Sequence, residues 1–189
     1  MKVAIVIGHD ESKQGAYSPT LDLHEWQWCS ALARQLDDEL GLRGMESRIF
    51  VREPGGKYSE QMAQLCGKVN DWQAGHSGLV VALHFNSTSE DWAGGCALHW
   101  PSSTGGKAAA SALSAAASKA VGNRDRGAIA QDRSWGTGRP PLWLLRLTKA
   151  RATILEPFFG SNEADARAGD RALQSGELAR CLADAIGAL

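Results

Sequence analysis

The sequence LVVALHFN, residues 79–86, runs from Gly78 into a polar segment, STSED. Five consecutive apolar residues bounded by turn-forming residues are typical of a strand buried on both faces inside a mainly parallel sheet. His84 and Asn86 follow at the carboxyl end of this strand, where open α/β sheets place their binding crevices. The segment therefore predicts a central strand that delivers polar side chains to a site, with Asn86 as a candidate substrate contact.

A second apolar run has the same design. Residues 3–7, VAIVI, are followed by Gly8, His9 and Asp10. A single histidine after a buried strand is more often structural than functional. Two histidines at equivalent strand ends favour a shared site, because such ends meet at one edge of a parallel sheet.

A helix is predicted between these two strands. Its apolar face recurs at intervals of three and four residues and comprises Glu25, Cys29, Leu32, Leu36 and Leu40. Two interpretations of Glu25 are open. With Asp22 as N-cap, Glu25 occupies the capping-box position and satisfies backbone N–H groups. Alternatively, a carboxylate on a buried face needs a cation, because an unpaired buried charge is very costly.

The rest of the chain continues the alternation of strands and helices. We predict strands at 47–51, 95–100 and 153–155, a strand-like element at 142–145, helices at 59–74 and 107–121, and a closing helical segment. The last strand ends in Glu156, a third polar residue at a strand end. This order predicts an α/β fold with a mixed, mainly parallel sheet of about six strands and helices on both faces. We expect a single catalytic domain over residues 1–189.

Residues 122–141 are polar, glycine-rich and predicted to be irregular, which is typical of a functional loop. Trp135 is a candidate substrate contact, as an aromatic platform for a sugar or a peptide, and Arg133 is a candidate cation for a carboxylate. The arginines of this segment fit a solvated surface equally well.

Composition narrows the choice of function. Lys and Arg total 20 against 21 Asp and Glu, so the formal net charge is −1. This balance gives no electrostatic drive towards nucleic acid or an anionic membrane, and no apolar run is long enough to span a bilayer. The four cysteines show no CxxC pairing, which argues against a structural zinc site and a disulfide framework.

Four residues fall at comparable places: His9, Glu25, His84 and Glu156. Two imidazoles and a carboxylate are the protein ligands of a hydrolytic zinc site whose fourth position is open to water. Zinc lowers the pKa of such a water to about 7, and a neighbouring carboxylate can serve as general base. We predict that His9, Glu25 and His84 bind Zn²⁺ and that Glu156 is catalytic. The alternative is four unrelated polar residues.

The chain resembles the zinc-dependent N-acetylmuramoyl-L-alanine amidases of the amidase-3 type, found in bacterial autolysins and phage endolysins. The opening strand with Gly-His matches residues 5–9, the helical glutamate matches Glu25, the Ser-x-His-x-Asn motif corresponds to residues 82–86, and the late glutamate with Phe-x-Ser-Asn matches Glu156 and residues 159–162. The resemblance runs in order from residue 3 to about 186. It implies the same ligand and catalytic roles, and hydrolysis of the amide between the lactyl group of N-acetylmuramic acid and the L-alanine of the stem peptide.

Two departures from the family motifs concern the substrate groove. The family usually has further glycines after Gly-His, whereas this chain has DESKQ at 10–14, and the serine of the second motif is Ala82 here. Neither change removes a ligand.

Two other functions are open. Zinc carboxypeptidases share the order His, Glu, His, Glu, but their first ligands lie three residues apart and His9 and Glu25 lie sixteen apart. They also need a cation for a terminal carboxylate, for which Arg52 or Arg133 would serve. A catalytically inactive peptidoglycan-binding module would have lost one of the four residues, and all four are present.

The expected partner is peptidoglycan, without nucleic acid or integral membrane association, and we expect a monomer. The N-terminus runs straight into a strand with no signal-peptide pattern. We therefore expect synthesis in the cytoplasm and action on the cell wall after release, as for a phage or prophage endolysin.

Overall fold

The sheet that organises the molecule has six strands. The computed structural model describes residues 1–89, 91–133 and 141–189. The strands are β1 (Lys2–Ile7), β4 (Glu46–Phe50), β5 (Gly78–Leu83), β6 (Gly95–His99), β7 (Asp125–Ala130) and β8 (Arg151–Glu156). Two-residue strands β2 (Tyr17–Ser18) and β3 (Leu23–His24) form a separate small hairpin.

The strand order is β4-β1-β5-β8-β6-β7. All neighbouring pairs are parallel except β6 with β8, which are antiparallel. The predicted mixed, mainly parallel sheet is confirmed. Its central strand is β5, the LVVALHFN segment, which pairs with β1 on one side and β8 on the other.

Helices cover both faces of this sheet, as predicted. They are α1 (Glu25–Leu42), α2 (Tyr58–Gln73), α3 (Thr104–Val121), α4 (Trp143–Leu147), α5 (Glu163–Gln174) and α6 (Glu177–Gly187). On one face, α1, α3, α5 and α6 pack on side chains such as Ile5 and Val81. On the other face, α2 and α4 pack on their alternating neighbours, such as Val6 and Val80. Period-two alternation within a strand buried on both sides produces these two cores.

Two predicted elements are wrong. Residues 142–145 were expected to be strand-like, but α4 begins at Trp143, buries Leu144 and Leu145 and ends at Thr148, whose hydroxyl donates to the Leu144 carbonyl. A helix of five residues is too short to show a helical period. Residues 125–130, expected to be irregular, form the edge strand β7, which is mostly half-buried and therefore lacks an apolar run.

Two further features of the chain are the state of its cysteines and the apolar character of its helices. All four cysteines are free thiols, and three of them are buried. No helix within the described ranges combines the length and apolar character needed to cross a membrane.

Gly169 in α5 lies very close to the core residue Phe158, so substitutions here can test the packing of the core. A Cβ atom added at Gly169 would lie 2.4 Å from Cδ1 of Phe158, which is fully buried. We expect Gly169→Ala to destabilise the protein by about 1–3 kcal/mol through overpacking. Gly67 in α2 has no neighbour within 4 Å of an added Cβ, so Gly67→Ala should stabilise it by about 0.5–1 kcal/mol. Urea unfolding of both variants measures the two effects, and equal shifts in the same direction would contradict this packing.

Candidate active site

Three polar side chains meet where three neighbouring strands end. His9 follows β1, His84 follows β5, and Glu156 is the last residue of β8. Because these strands are adjacent and parallel, their carboxyl ends lie side by side. The sheet therefore brings together residues that are far apart in the sequence.

Glu25 reaches the same edge from the first turn of α1. Its side chain is 4 % exposed. Oε1 lies 2.7 Å from His84 Nδ1, and Oε2 lies 3.1 Å from His9 Nε2. The backbone N–H groups of Ala16 and Phe85 also donate to this carboxylate, at 3.2 and 3.3 Å. Burial opposes ionisation, but these hydrogen bonds to the two histidines hold the pKa of Glu25 well below its ordinary value.

The N-terminus of α1 decides between the two interpretations of Glu25. The residue that precedes the helix is His24, not Asp22, and the backbone N–H of His24 donates to Gln27 Oε1 at 2.8 Å. Asp22 lies outside the helix with a φ of 52°. Glu25 is thus the first helical residue, and its carboxylate faces two imidazoles.

The donor atoms of His9, Glu25 and His84 lie within 4.8 Å of one another and form a possible metal site. Two imidazoles and one carboxylate that converge on a point match the donor set of catalytic zinc. The backbone packs closely around them: a Cβ at Gly15 would lie 2.7 Å from Glu25 Oε2, and a Cβ at Gly8 would lie 2.8 Å from His84 Nδ1. Only glycine fits at either position, because any larger residue would place a Cβ against these donor atoms.

His9 is held in a strained backbone conformation by its neighbour. Its φ is 67°, in the left-handed region that non-glycine residues seldom adopt. Asp10 Oδ2 accepts hydrogen bonds from Arg52 at 2.6 and 3.0 Å, and Asp10 Oδ1 accepts from Ser12 and Lys13. Burial opposes ionisation, but these bonds keep the pKa of Asp10 below its ordinary value. This buried pair fixes the turn that aims the His9 ring.

Glu156 has a different environment from Glu25. Asn86 Nδ2 donates to its Oε2 at 2.5 Å, and the Cys96 thiol lies 3.7 Å from the same oxygen. Desolvation raises the pKa of Glu156 to about 7, against the opposing influence of His84. A carboxyl with this pKa can accept and return a proton near neutral pH.

The comparisons with known proteins agree with this geometry. The sequence model of the amidase-3 family, described as N-acetylmuramoyl-L-alanine amidase, matches residues 3–188. The chain belongs to the N-acetylmuramoyl-L-alanine amidase family. No curated protein sequence matches the amidase at a significant level.

Solved structures share the fold of the amidase. The catalytic domain of an endolysin targeting Clostridium difficile is 21 % identical, with a TM-score of 0.82 over 100 % of this chain and 97 % of its own. An amidase from Clostridium difficile 630 is 18 % identical, with a TM-score of 0.77 over 99 % and 95 %. The catalytic domain of CwlV from Bacillus (Paenibacillus) polymyxa var. colistinus is 22 % identical, with a TM-score of 0.75 over 100 % and 97 %.

Of the three predicted substrate contacts, only Asn86 is placed in the site. Asn86 lies in the site, since it bonds to Glu156. Arg133 is exposed, and its backbone pairs with Pro141; it lines neither of the two cavities beside the site. Trp135 lies outside the described residues.

Two cavities flank the group formed by His9, His84, Asn86 and Glu156. One, of about 330 Å³, lies beside His9 and His84 under α2 and α4, and includes Arg52 and Trp143 in its wall. The other, of about 250 Å³, begins at Asn86 and extends to Trp92 and Arg126. Sequence reasoning missed the Asp10–Arg52 pair, Cys96 and this second cavity. Asp10 directly follows His9 in the sequence, which is a usable signal; the others come from separate segments with no motif.

The raised pKa of Glu156 has a consequence for the stability of the metal-free amidase. The folded protein binds this proton more tightly than the unfolded chain, whose ordinary pKa is 4.5. The wild type therefore loses stability as pH rises from about 4.5 through 7. Relative to it, Glu156→Gln should gain stability between about pH 5 and pH 8, measured by thermal unfolding in chelator. The matched control is Glu177→Gln, at an exposed position on α6 that takes part in no ion pair of the described residues, and it should not reproduce this gain.

Proposed function

We propose that this amidase is a zinc-dependent peptidoglycan hydrolase that cleaves the bond between N-acetylmuramic acid and the L-alanine of the stem peptide. The observation that carries the proposal is the convergence of His9, Glu25 and His84 beside Glu156. Family membership supports the reaction class, and the geometry supports the roles proposed for the residues.

His9, Glu25 and His84 would hold the zinc ion. When bound, the ion supplies a Lewis acid that polarises the scissile carbonyl and lowers the pKa of a water molecule to about 7. Glu25 contributes the negative charge. The backbone N–H groups of Ala16 and Phe85 donate hydrogen bonds to its carboxylate and orient it. These bonds play the part that outer-shell partners play for metal ligands, because they fix the direction of the carboxylate.

Glu156 would act as general base and then as general acid. Its carboxylate accepts a proton from the attacking water and returns it to the nitrogen of L-alanine as the amide breaks. Asn86 donates to Oε2, so it holds the carboxylate in place during both transfers. Positioned proton transfer of this kind contributes roughly 10²–10⁴-fold to a rate.

The site of action would be the cell wall, with peptidoglycan as the partner. A resemblance to the fold of an endolysin catalytic domain supports a lytic role of phage or prophage type. This proposal includes the zinc ion, the endolysin role and a monomeric state.

The zinc content of purified variants can distinguish the proposed metal ligands from the proposed general base. We expect His84→Ala to abolish zinc retention, because it removes one of three protein ligands. Glu25→Gln should weaken zinc affinity by roughly 10–100-fold or more, the cost usually seen even for outer-shell changes. Glu156→Gln should retain about one zinc per chain and lose turnover by roughly 10²–10⁴-fold. Zinc content and hydrolysis of purified peptidoglycan are the two measurements.

Matched controls make these results interpretable. His76→Ala, at an exposed histidine between α2 and β5, should leave zinc content and turnover unchanged. Full zinc retention by His84→Ala would refute the ligand assignment, and native turnover of Glu156→Gln would refute the base assignment. Wild-type protein with no zinc and no turnover would favour a binding module.

The products identify the bond. Mass spectrometry of digested peptidoglycan should show free stem peptides that begin with L-alanine, together with glycan strands that carry intact lactyl groups. Release of a single C-terminal amino acid would instead indicate a carboxypeptidase, and the amidase reaction would then be wrong for this chain.

A further inference from the structure

The cavity that begins at Asn86 contains an arginine whose interactions are with aromatic rings. Arg126, on the edge strand β7, lines this cavity together with Trp92 and Phe159. Its guanidinium carbon lies 4.5 Å from the ring centre of Trp92 and 5.5 Å from that of Phe159. No carboxylate in the described part of the chain forms an ion pair with it.

Arg52, the other arginine that lines a cavity beside the proposed catalytic residues, is paired with a carboxylate. Arg52 forms its two hydrogen bonds with the buried Asp10. Arg126 has the opposite arrangement, because its contacts are with the faces of aromatic rings. Stacking on a ring leaves the in-plane N–H donors of a guanidinium free, and these donors match a carboxylate with two parallel hydrogen bonds.

The walls of this cavity are fixed by a buried carboxylate. Asp165, 4 % exposed, accepts hydrogen bonds from the backbone N–H groups of Gly94 and Phe159 at 2.9 and 2.7 Å and from Asn123 Nδ2 at 2.7 Å. It thereby joins the loop after Trp92, the end of β8 and the start of β7. Both Asp165 oxygens are engaged in this scaffold, so Asp165 organises the cavity without neutralising Arg126.

The cavity is continuous with the catalytic centre. Asn86 lines it and also donates to Glu156 Oε2. With its scissile amide at Glu156, a substrate whose peptide side runs past Asn86 enters this cavity, and each extended residue adds about 3.3–3.6 Å. In a peptidoglycan stem, L-alanine is followed by a D-glutamyl unit linked through its side chain, so its α-carboxyl is a free acid in some peptidoglycans and an amide in others.

We propose that Arg126, supported by Trp92 and Phe159, binds the free α-carboxylate of the second stem residue, so that this enzyme prefers acidic stems over amidated ones. The inference rests on the proposed function, since it places the peptide side of the substrate at Asn86. Trp92 and Phe159 are positioning residues, and Arg126 is the residue that contacts the substrate. The carboxamide of an amidated stem carries no charge, so the ion pair is replaced by a weaker hydrogen bond from the guanidinium to a neutral oxygen.

The test compares two soluble disaccharide tetrapeptides that differ only in D-glutamate or D-isoglutamine at the second stem position. We expect wild-type kcat/KM for the acid to exceed that for the amide by on the order of ten- to a hundredfold, mainly through KM. Arg126→Gln should reduce the ratio to about one by weakening the acid substrate alone, and Arg126→Lys should give an intermediate ratio, because lysine keeps the charge without the fork. Arg34→Gln, at an exposed position on α1, should keep the wild-type ratio.

The ratio of the kcat/KM values for two substrates, measured with one enzyme preparation, does not depend on the fraction of enzyme that is folded. It also cancels any effect of Arg126 on Glu156, which acts equally on both substrates. An unchanged preference in Arg126→Gln, or equal wild-type rates on both substrates, would overturn this inference while the amidase function stands. Failure of the wild type to release stem peptides from either substrate or from intact peptidoglycan would overturn the proposed function itself.

Discussion

The site depends on one buried carboxylate that faces two imidazoles. Glu25 lies at the start of α1 with almost no exposure, and its two oxygens point to His9 and His84. An unpaired charge at such a position is strongly destabilising. The surrounding structure therefore has to deliver both rings and two backbone N–H groups to the same point. The segment before β2 that carries Gly15 and Ala16, the ends of β1 and β5, and the first turn of α1 all serve this requirement.

The order of the strands explains why distant residues converge. β1, β5 and β8 are neighbours and run in one direction, so their last residues lie along one edge. The reversal of β6 has a separate effect, because its first residues reach that same edge. Cys96 thereby pairs with Glu156 across the β6–β8 ladder and places its thiol 3.7 Å from Glu156 Oε2. Desolvation at this point raises the pKa of Glu156.

The sequence predicts most of the fold because parallel strands that are buried on both faces have short, continuous apolar sequences. β1, β5 and β8 all have this form. It predicts the four polar residues because three of them follow such runs. It fails at α4, which is too short to show a period, and at β7, whose half-exposed edge position needs no apolar run. It also fails where the partners come from unrelated segments: nothing near Trp92 indicates that Arg126 will lie on its ring.

Two carboxylates of the same residue type have opposite properties in this site, and the reason is local. Glu25 is as buried as a core residue, yet hydrogen bonds from two imidazoles and two amides stabilise its charge. Glu156 has one amide donor and a thiol, which stabilise its charge less, so desolvation dominates. Environments that push two pKa values apart are how one site obtains both a permanent anion and a proton carrier. The permanent anion suits a metal ligand, and the proton carrier suits a general base. The roles proposed for Glu25 and Glu156 are therefore supported by the number and kind of donors around each side chain.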